Sequence, residues 1–149
     1  MSSWRAPRLR SPISAKVSIP GSKSQTARAL YLAAIGKHPC VIDGVLRSRD
    51  TDLFAQALRT LGAQIDMLGD SRVRVTPISS DSPSSERVID CGLAGTVMRF
   101  LPPLAALSST PTRFDGDEQA YARPLAPLLD VLEGLGATLI YHGEKGHLP

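Results

Sequence analysis

The feature that most constrains the fold of this chain is a repeat within its own sequence. The stretch Ile42-Asp43-Gly44 recurs as Phe114-Asp115-Gly116. The run Leu53 to Ile65 recurs, with its Leu-Gly-Ala segment, as Pro127 to Leu139. The paired segments lie roughly 72 to 74 residues apart, so short insertions in loops account for the drift. A chain with two matching segments is expected to fold into two similar units.

Each unit has the same predicted order of elements. A short strand leads through a Gly-containing turn into a helix, and a strand, a second helix and at least one closing strand follow. The units cover about residues 16–77 and 87–149, separated by a polar loop at Ile78–Ser85. The predicted strands are Val17–Ile19, Cys40–Asp43, Gln64–Leu68, Arg72–Thr76, Val88–Asp90, Thr112–Asp115 and Thr138–Tyr141, and the leading helices cover about Ser24–Ile35 and Gly95–Leu107.

Glycine and proline mark the predicted helix ends. Gly62 and Gly136 can take the left-handed conformation that closes a helix. Pro124 suits a first helical position. Pro102 and Pro103 lie inside the third predicted helix, which they should kink or end because they lack backbone donors.

The predicted fold class is α/β, built from tandem βαβαββ repeats. The alternative is an ordinary doubly wound sheet. That fold needs no matching halves, and it usually shows a Gly-rich dinucleotide fingerprint that is absent here. The repeat therefore favours the tandem arrangement.

Positive charge is concentrated at the start of the chain. The net charge is +3, yet no Asp or Glu precedes Asp43. Nucleic acid is one possible partner for such a bias. However, no aromatic residues interleave with the basic ones as stacking platforms. A small anionic substrate explains the charge equally well and needs fewer residues.

The two cysteines predict no disulfide and no metal site. Cys40 and Cys91 form no CxxC pair, and the three histidines have no HxxxH spacing. We interpret both cysteines as buried free thiols in a reducing cytoplasm. The chain has no run of about 18 apolar residues, so no membrane-spanning segment is expected.

The segment Pro20-Gly21-Ser22-Lys23-Ser24 follows a predicted strand and opens a predicted helix. A helix start presents free N–H groups and partial positive charge, so it is a natural anion site. Lys23 and the hydroxyls of Ser22 and Ser24 add donors. Arg28 lies one turn later on the same face and can lean back toward the same anion. A Walker A loop is excluded because Ser22 separates the glycine from the lysine.

The second unit repeats this arrangement. A Gly-containing segment opens the helix at Gly95, and Arg99 lies four residues later. Glycine permits close backbone approach to a ligand. Arg123, just before Pro124, is placed at a third helix start. Each signal alone also fits a structural role, such as a capped helix with a solvated lysine, but three equivalent donor sets favour an anion site.

Three ordered motifs carry a resemblance to a known family. They read PGSKSxxxRALxLAA, LAGTVMRFxxPLAAL and ARPLxxLLxxLxxLGA. Together they resemble the signatures of 5-enolpyruvylshikimate-3-phosphate synthases over essentially the whole chain. The sister family of UDP-N-acetylglucosamine enolpyruvyl transferases has Lys-Asn in place of Lys23-Ser24 and a reactive cysteine loop. Neither cysteine lies in such a loop, so the shikimate family is preferred.

The resemblance implies a division of the site. Lys23, Ser24 and Arg28 would bind shikimate 3-phosphate. Lys23, as the catalytic residue, would also face phosphoenolpyruvate together with Gly95 and Arg123.

Two positions next to the site depart from the family's common pattern. Leu93 stands where many members have Asn, which removes a side-chain donor beside the predicted phosphoenolpyruvate site. Phe100 replaces a common Pro. Arg99 matches an arginine of the family and is expected to support the site.

The resemblance also implies a fold and an activity. Residues 1–149 would form part of one lobe of the enolpyruvyl transferase fold, and the remaining part of the enzyme would be a necessary partner. The implied reaction transfers the enolpyruvyl group from phosphoenolpyruvate to shikimate 3-phosphate in the cytoplasm, with no metal or organic cofactor. The chain alone is expected to bind substrate without turnover. A stand-alone phosphate-binding module is the alternative.

Overall fold

The computed structural model describes residues 3–8, 11–79 and 86–149. The first unit contains α1 (Lys23–Ala34), β1 (Cys40–Asp43), α2 (Arg49–Thr60), β2 (Gln64–Met67) and β3 (Arg72–Thr76). The second contains β4 (Arg87–Asp90), α3 (Gly95–Ala105), β5 (Thr112–Asp115), α4 (Glu118–Tyr121) and α5 (Ala126–Gly134). Residues 80–85 of the predicted inter-unit loop lie outside the described residues.

The strands form two small sheets. In the first, β3 lies between β1 and β2 and is antiparallel to both. In the second, β4 and β5 are parallel, as expected for strands connected through a helix. The two sheets differ because the units form different members of the predicted set. The first unit forms every predicted strand except the leading one, whereas the second forms its leading strand but not its closing one.

Three helices pack together to form the core. Ser48 caps α2 in a reciprocal hydrogen-bonded box with Thr51, which sets where this helix begins. Its apolar residues recur every three or four positions, so Phe54 and Leu58 are fully buried. Leu101 of α3 is buried against the same cluster. This packing holds the starts of the helices in fixed relative positions.

Both Leu-Gly-Ala segments close a helix, as predicted. Leu61 and Leu135 are the C-cap residues of α2 and α5. Gly62 and Gly136 follow with φ angles of 107° and 96°. A left-handed angle of this kind favours glycine, which carries no Cβ.

Two predicted strands are absent from the structure. Val17 and Ile19 are 76% and 84% exposed and lie in irregular chain. Thr138–Tyr141 also lies in irregular chain. A strand exists only as part of a hydrogen-bonded ladder. Neither segment finds a neighbouring strand among the described residues, so the alternating pattern alone did not produce one.

The remaining helices agree only in part with the expectations from the sequence. Helix α3 contains Pro102 and Pro103 and ends two residues after them, at Ala105, so it stops short of the predicted Leu107. Helix α5 begins at Ala126, so its first-turn proline is not Pro124 but Pro127. The helix α4 that precedes it was not predicted.

The two cysteines differ in exposure. Both are free, but Cys40 is exposed, because it opens β1 on the surface of the sheet, so the prediction that both are buried is wrong. Cys91 is fully buried, and burial raises the pKa of its thiol to about 12. Among the described residues, no helix is long and apolar enough to cross a bilayer.

Candidate active site

The starts of α1, α2 and α3 meet at one end of the molecule. The Nζ atom of Lys23, the first residue of α1, donates to Asp50 Oδ2 at 2.7 Å, in the first turn of α2. A Cβ placed on Gly92, just before α3, would lie 3.0 Å from Arg49 Nη2. These contacts bring together helix starts that are far apart in sequence, and each start presents backbone N–H groups.

At the start of α1, the structure brings Ser24 and Arg28 together. Ser22 caps the helix by accepting from the Gln25 N–H. Arg28 Nη1 donates to the hydroxyl of Ser24 and to its carbonyl oxygen at 3.3 Å. The Arg28 guanidinium also lies 5.5 Å from the centre of the Phe100 ring, which belongs to α3. Arg28 therefore leans back toward the helix start and lies against the neighbouring helix.

The start of α3 is open to an anion. Its capping residue, Ala94, makes no side-chain hydrogen bond to the first turn. Gly95 lies between two guanidinium groups. A Cβ added at Gly95 would lie 3.2 Å from Arg99 Nη1 and 3.6 Å from Arg123 Nη1. Uncapped N–H groups flanked by two arginines are a suitable environment for a phosphate or carboxylate.

Arg123 reaches this site from outside a helix start, contrary to the sequence prediction. It lies between α4 and α5, and its Nη1 donates to the Leu93 carbonyl oxygen at 2.9 Å. The carbonyl is a backbone group, so this contact does not depend on the side chain at position 93. Leu93 instead packs its side chain against the core.

The positive charge at this end is only partly neutralised. Arg28, Arg99 and Arg123 contact hydroxyl or carbonyl oxygens, and in the described part of the chain none of them pairs with a carboxylate. Lys23 pairs with Asp50, but its side chain is 57% exposed. Exposed pairs of this kind contribute about 0.2–1 kcal/mol. An incoming anion can therefore compete for the lysine.

An ion pair missed from the sequence connects the two units here. Both terminal nitrogens of Arg49 donate to the carboxylate of Asp117 at 2.7 Å. This hydrogen bonding raises the pKa of Arg49 and lowers that of Asp117. The partners are 68 residues apart, so no local pattern indicates the pair. The only available signal was the position of Arg49 directly after the Ser48 cap.

Comparison with known proteins decides the family. Residues 7–149 match the family model described as EPSP synthase (3-phosphoshikimate 1-carboxyvinyltransferase). This chain belongs to the EPSP synthase family. It is 53% identical over 148 residues to a 3-phosphoshikimate 1-carboxyvinyltransferase of Bifidobacterium longum (strain DJO10A), covering 98% of this chain and 33% of the relative. It is 56% identical over 140 residues to the protein of that name from Mycobacterium ulcerans (strain Agy99), covering 91% of this chain and 32% of the relative.

Solved structures agree with the family assignment. An EPSP synthase from Acinetobacter baumannii superposes with a TM-score of 0.80 at 27% identity, over 91% of this chain and 31% of that chain. A second structure of the enzyme from the same organism gives 0.79, with the same identity and coverage. These matches confirm the predicted α/β fold class as part of the EPSP synthase fold. The chain spans about a third of the length of the relatives that it matches.

Proposed function

We propose that the full-length protein is a 3-phosphoshikimate 1-carboxyvinyltransferase that acts in the cytoplasm, in the shikimate pathway leading to aromatic amino acids. It would transfer the enolpyruvyl group of phosphoenolpyruvate to the 5-hydroxyl of shikimate 3-phosphate and release phosphate. The observation that carries the proposal is the meeting of three helix starts with three arginines that have no carboxylate partner among the described residues. Both substrates are phosphorylated, so both need such a surface.

The shikimate 3-phosphate subsite is assigned to Lys23, Ser24 and Arg28. The contact between Arg28 and Ser24 holds the guanidinium and the hydroxyl at the start of α1, where free N–H groups also point outward. The Phe100 ring beneath the Arg28 guanidinium limits its freedom, which lowers the entropy lost when an anion binds.

The phosphoenolpyruvate subsite is assigned to Lys23, Gly95 and Arg123. The absence of a side chain at Gly95 leaves space between Arg99 and Arg123. Lys23 belongs to both subsites and is the proposed catalytic residue of this part. Departure of phosphate in the proposed reaction leaves negative charge on the leaving group, and prepositioned cations can stabilise that charge without reorganising.

Residues 1–149 alone are proposed to bind but not to turn over. They span about a third of the relatives' length, and the site described here lies open on the surface. Water in an open site weakens each charge contact. Loss of positioning alone can raise the reaction barrier by about 7–11 kcal/mol. The remaining part of the enzyme is therefore the proposed partner of this chain.

Binding of shikimate 3-phosphate, followed by calorimetry, tests the subsite. Replacing Lys23 by Ala should weaken binding by about 1.5–3 kcal/mol, the range for a charged hydrogen bond. Lys37→Ala is the matched control, because Lys37 is an exposed lysine just beyond the other end of α1. Equal affinities of the two variants would contradict the assignment.

Phosphate release tests the need for the remaining part. The purified chain is assayed with both substrates, alone and mixed with the separately expressed remainder of the enzyme. We expect release only in the mixture. Turnover by the chain alone would refute the proposed division. Binding by the chain without activity in a mixture that forms a complex would favour a stand-alone phosphate-binding module.

A further inference from the structure

One tight turn connects β4 to α3 and shapes the proposed phosphoenolpyruvate subsite. It consists of residues 91–94, and Gly92 takes a left-handed φ angle of 48° that favours glycine. The Leu93 carbonyl oxygen accepts from Arg123 Nη1 at 2.9 Å, and α3 begins directly afterwards at Gly95. The position of the 91–94 turn therefore sets where Arg123 and Gly95 lie relative to each other.

The segment that follows β5 lies directly against this turn. The Asp117 N–H donates to the Gly92 carbonyl oxygen at 3.1 Å. A Cβ added at Gly116 would lie 2.7 Å from the same oxygen, so glycine permits this approach. Asp117 is also the N-cap residue of the short helix α4, and Arg123 follows that helix, with its N–H donating to the Ala120 carbonyl oxygen at 3.0 Å. Asp117 is therefore connected to the turn by a hydrogen bond and to Arg123 through α4.

The Asp117 carboxylate is held by Arg49 and not by the helix that it caps. An N-cap Asp usually accepts a hydrogen bond from the first turn of its helix, but the Asp117 side chain makes no such bond. Its two oxygens instead accept from the two terminal nitrogens of Arg49, each at 2.7 Å. A bidentate contact of this kind fixes the orientation of the two groups as well as their distance. The contact therefore ties the segment after β5 to the start of α2.

The Arg49 guanidinium also lies beside the 91–94 turn itself. A Cβ added at Gly92 would lie 3.0 Å from Arg49 Nη2 and 3.3 Å from its Cζ atom. Arg49 is the first residue of α2, whose start is fixed by the capping box of Ser48 and Thr51. The guanidinium thus extends from a fixed helix start to both the turn and Asp117.

The pair is suited to positioning more than to stability. The side chains of Arg49 and Asp117 are 60% and 29% exposed. Exposed ion pairs add little to the free energy of folding. Removing the pair should therefore leave the fold intact while it allows the turn to move.

We infer that Arg49 is a positioning residue for the proposed phosphoenolpyruvate subsite. Its bidentate contact with Asp117 holds the 91–94 turn in place, and the turn presents the Leu93 carbonyl oxygen to Arg123. The inference rests on the proposed function of that subsite. Arg49 acts through these groups and does not bind the substrate itself, because both of its terminal nitrogens already donate to a carboxylate.

The test compares variants of the full-length enzyme. Arg49→Gln and Asp117→Asn each remove the ion pair, singly and together, and Asn is also a favoured N-cap residue, so α4 keeps its start. Arg47→Gln is the matched control, because Arg47 donates to Asp52 at 2.6 Å in an exposed pair beside the same helix start, and that pair does not involve the second unit. The KM for each substrate is measured, together with backbone hydrogen exchange by mass spectrometry in peptides that contain the 91–94 turn.

We expect each single variant to raise the KM for phosphoenolpyruvate about 3- to 30-fold, and the KM for shikimate 3-phosphate by less than about twofold, the scale of effects transmitted through packed contacts. The double variant should lose no more than either single variant, because Arg49 and Asp117 share one contact. Exchange in the 91–94 turn should be faster in all three variants. Arg47→Gln should change none of these quantities.

Equal changes in KM for the two substrates, including no change, would overturn the inference. A lower KM for phosphoenolpyruvate in Asp117→Asn would also overturn it, since Arg49, once released, would then be binding the substrate itself. Unchanged exchange in the 91–94 turn would overturn the positioning role whatever the substrate is. Absence of phosphate release by the unmodified enzyme would instead refute the proposed function, while the exchange measurement would still decide whether Arg49 holds the turn.

Discussion

Replacing Gly95 by Ala should separate the stability of the chain from its binding of anions. The added Cβ would lie 3.2 Å from Arg99 Nη1, closer than an ordinary contact. That atom is the end of a flexible side chain, so it can move by a few tenths of an ångström without disturbing the core. Gly95 has no left-handed φ angle, so alanine fits the backbone. Alanine in a helix is favoured over glycine by about 0.5–1 kcal/mol.

Binding should change far more than stability. The Cβ occupies the space between Arg99 and Arg123 that we assign to the anion. Losing one charge-assisted hydrogen bond costs about 1.5–3 kcal/mol. That loss corresponds to an affinity about 10- to 150-fold weaker. In the full-length enzyme, phosphoenolpyruvate should lose this affinity, whereas shikimate 3-phosphate should lose much less.

Gly134→Ala is the matched control. Gly134 is the last residue of α5, and a Cβ added there meets no atom within 4 Å. The assays are thermal unfolding of the chain and calorimetric binding of each substrate to the full-length enzyme. Equal losses for both substrates would refute the assignment of Gly95. Destabilisation of Gly95→Ala by more than about 1 kcal/mol, when Gly134→Ala is neutral, would refute the view that only flexible groups are displaced.

Three further predictions follow from the contacts. Asp50→Asn should strengthen binding of inorganic phosphate about 2- to 5-fold in calorimetry, because it frees Lys23 from a pair of at most about 1 kcal/mol; unchanged or weaker binding would contradict this. Because Arg49 lowers the pKa of Asp117, this pair stabilises the fold above the unfolded pKa near 4 and loses that contribution as the pH falls through the folded pKa. Asp117→Asn should therefore flatten the acid side of the curve of melting temperature against pH, and an unchanged curve would argue against the pair. Cys91, with its raised pKa, should resist alkylation in the native chain at about pH 8 while the exposed cysteine reacts; mass spectrometry showing modification of both would contradict its burial.

Local structure was largely predictable from the sequence, because it depends on neighbouring residues. The strands β1, β3 and β5 have the predicted bounds, since their ends are set by adjacent turns and loops. Helix α1 also lies within one residue of its predicted bounds. The proposal of anion binding at the helix starts rests on hydrogen-bonding groups that every helix leaves free.

Contacts between distant parts of the chain were not predictable in this way. The pairing of Arg49 with Asp117 joins residues that share no periodicity. The sequence likewise gave no indication that Asp50 holds Lys23, or that Arg123 binds the Leu93 carbonyl. Each of these contacts joins residues from separate elements, which come together only in the packed fold.

The repeat shows most clearly where the information in the sequence ends. By itself, the sequence determined that Leu61 and Leu135 each close a helix, because the glycine that follows each one permits the left-handed turn. Only the tertiary structure decided that Leu61 is buried and Leu135 is exposed. The same applies to Val17–Ile19, whose alternation is typical of a strand but which lies unpaired. Burial and strand pairing depend on what lies beside a segment, whereas the backbone preference of a turn belongs to the residue itself.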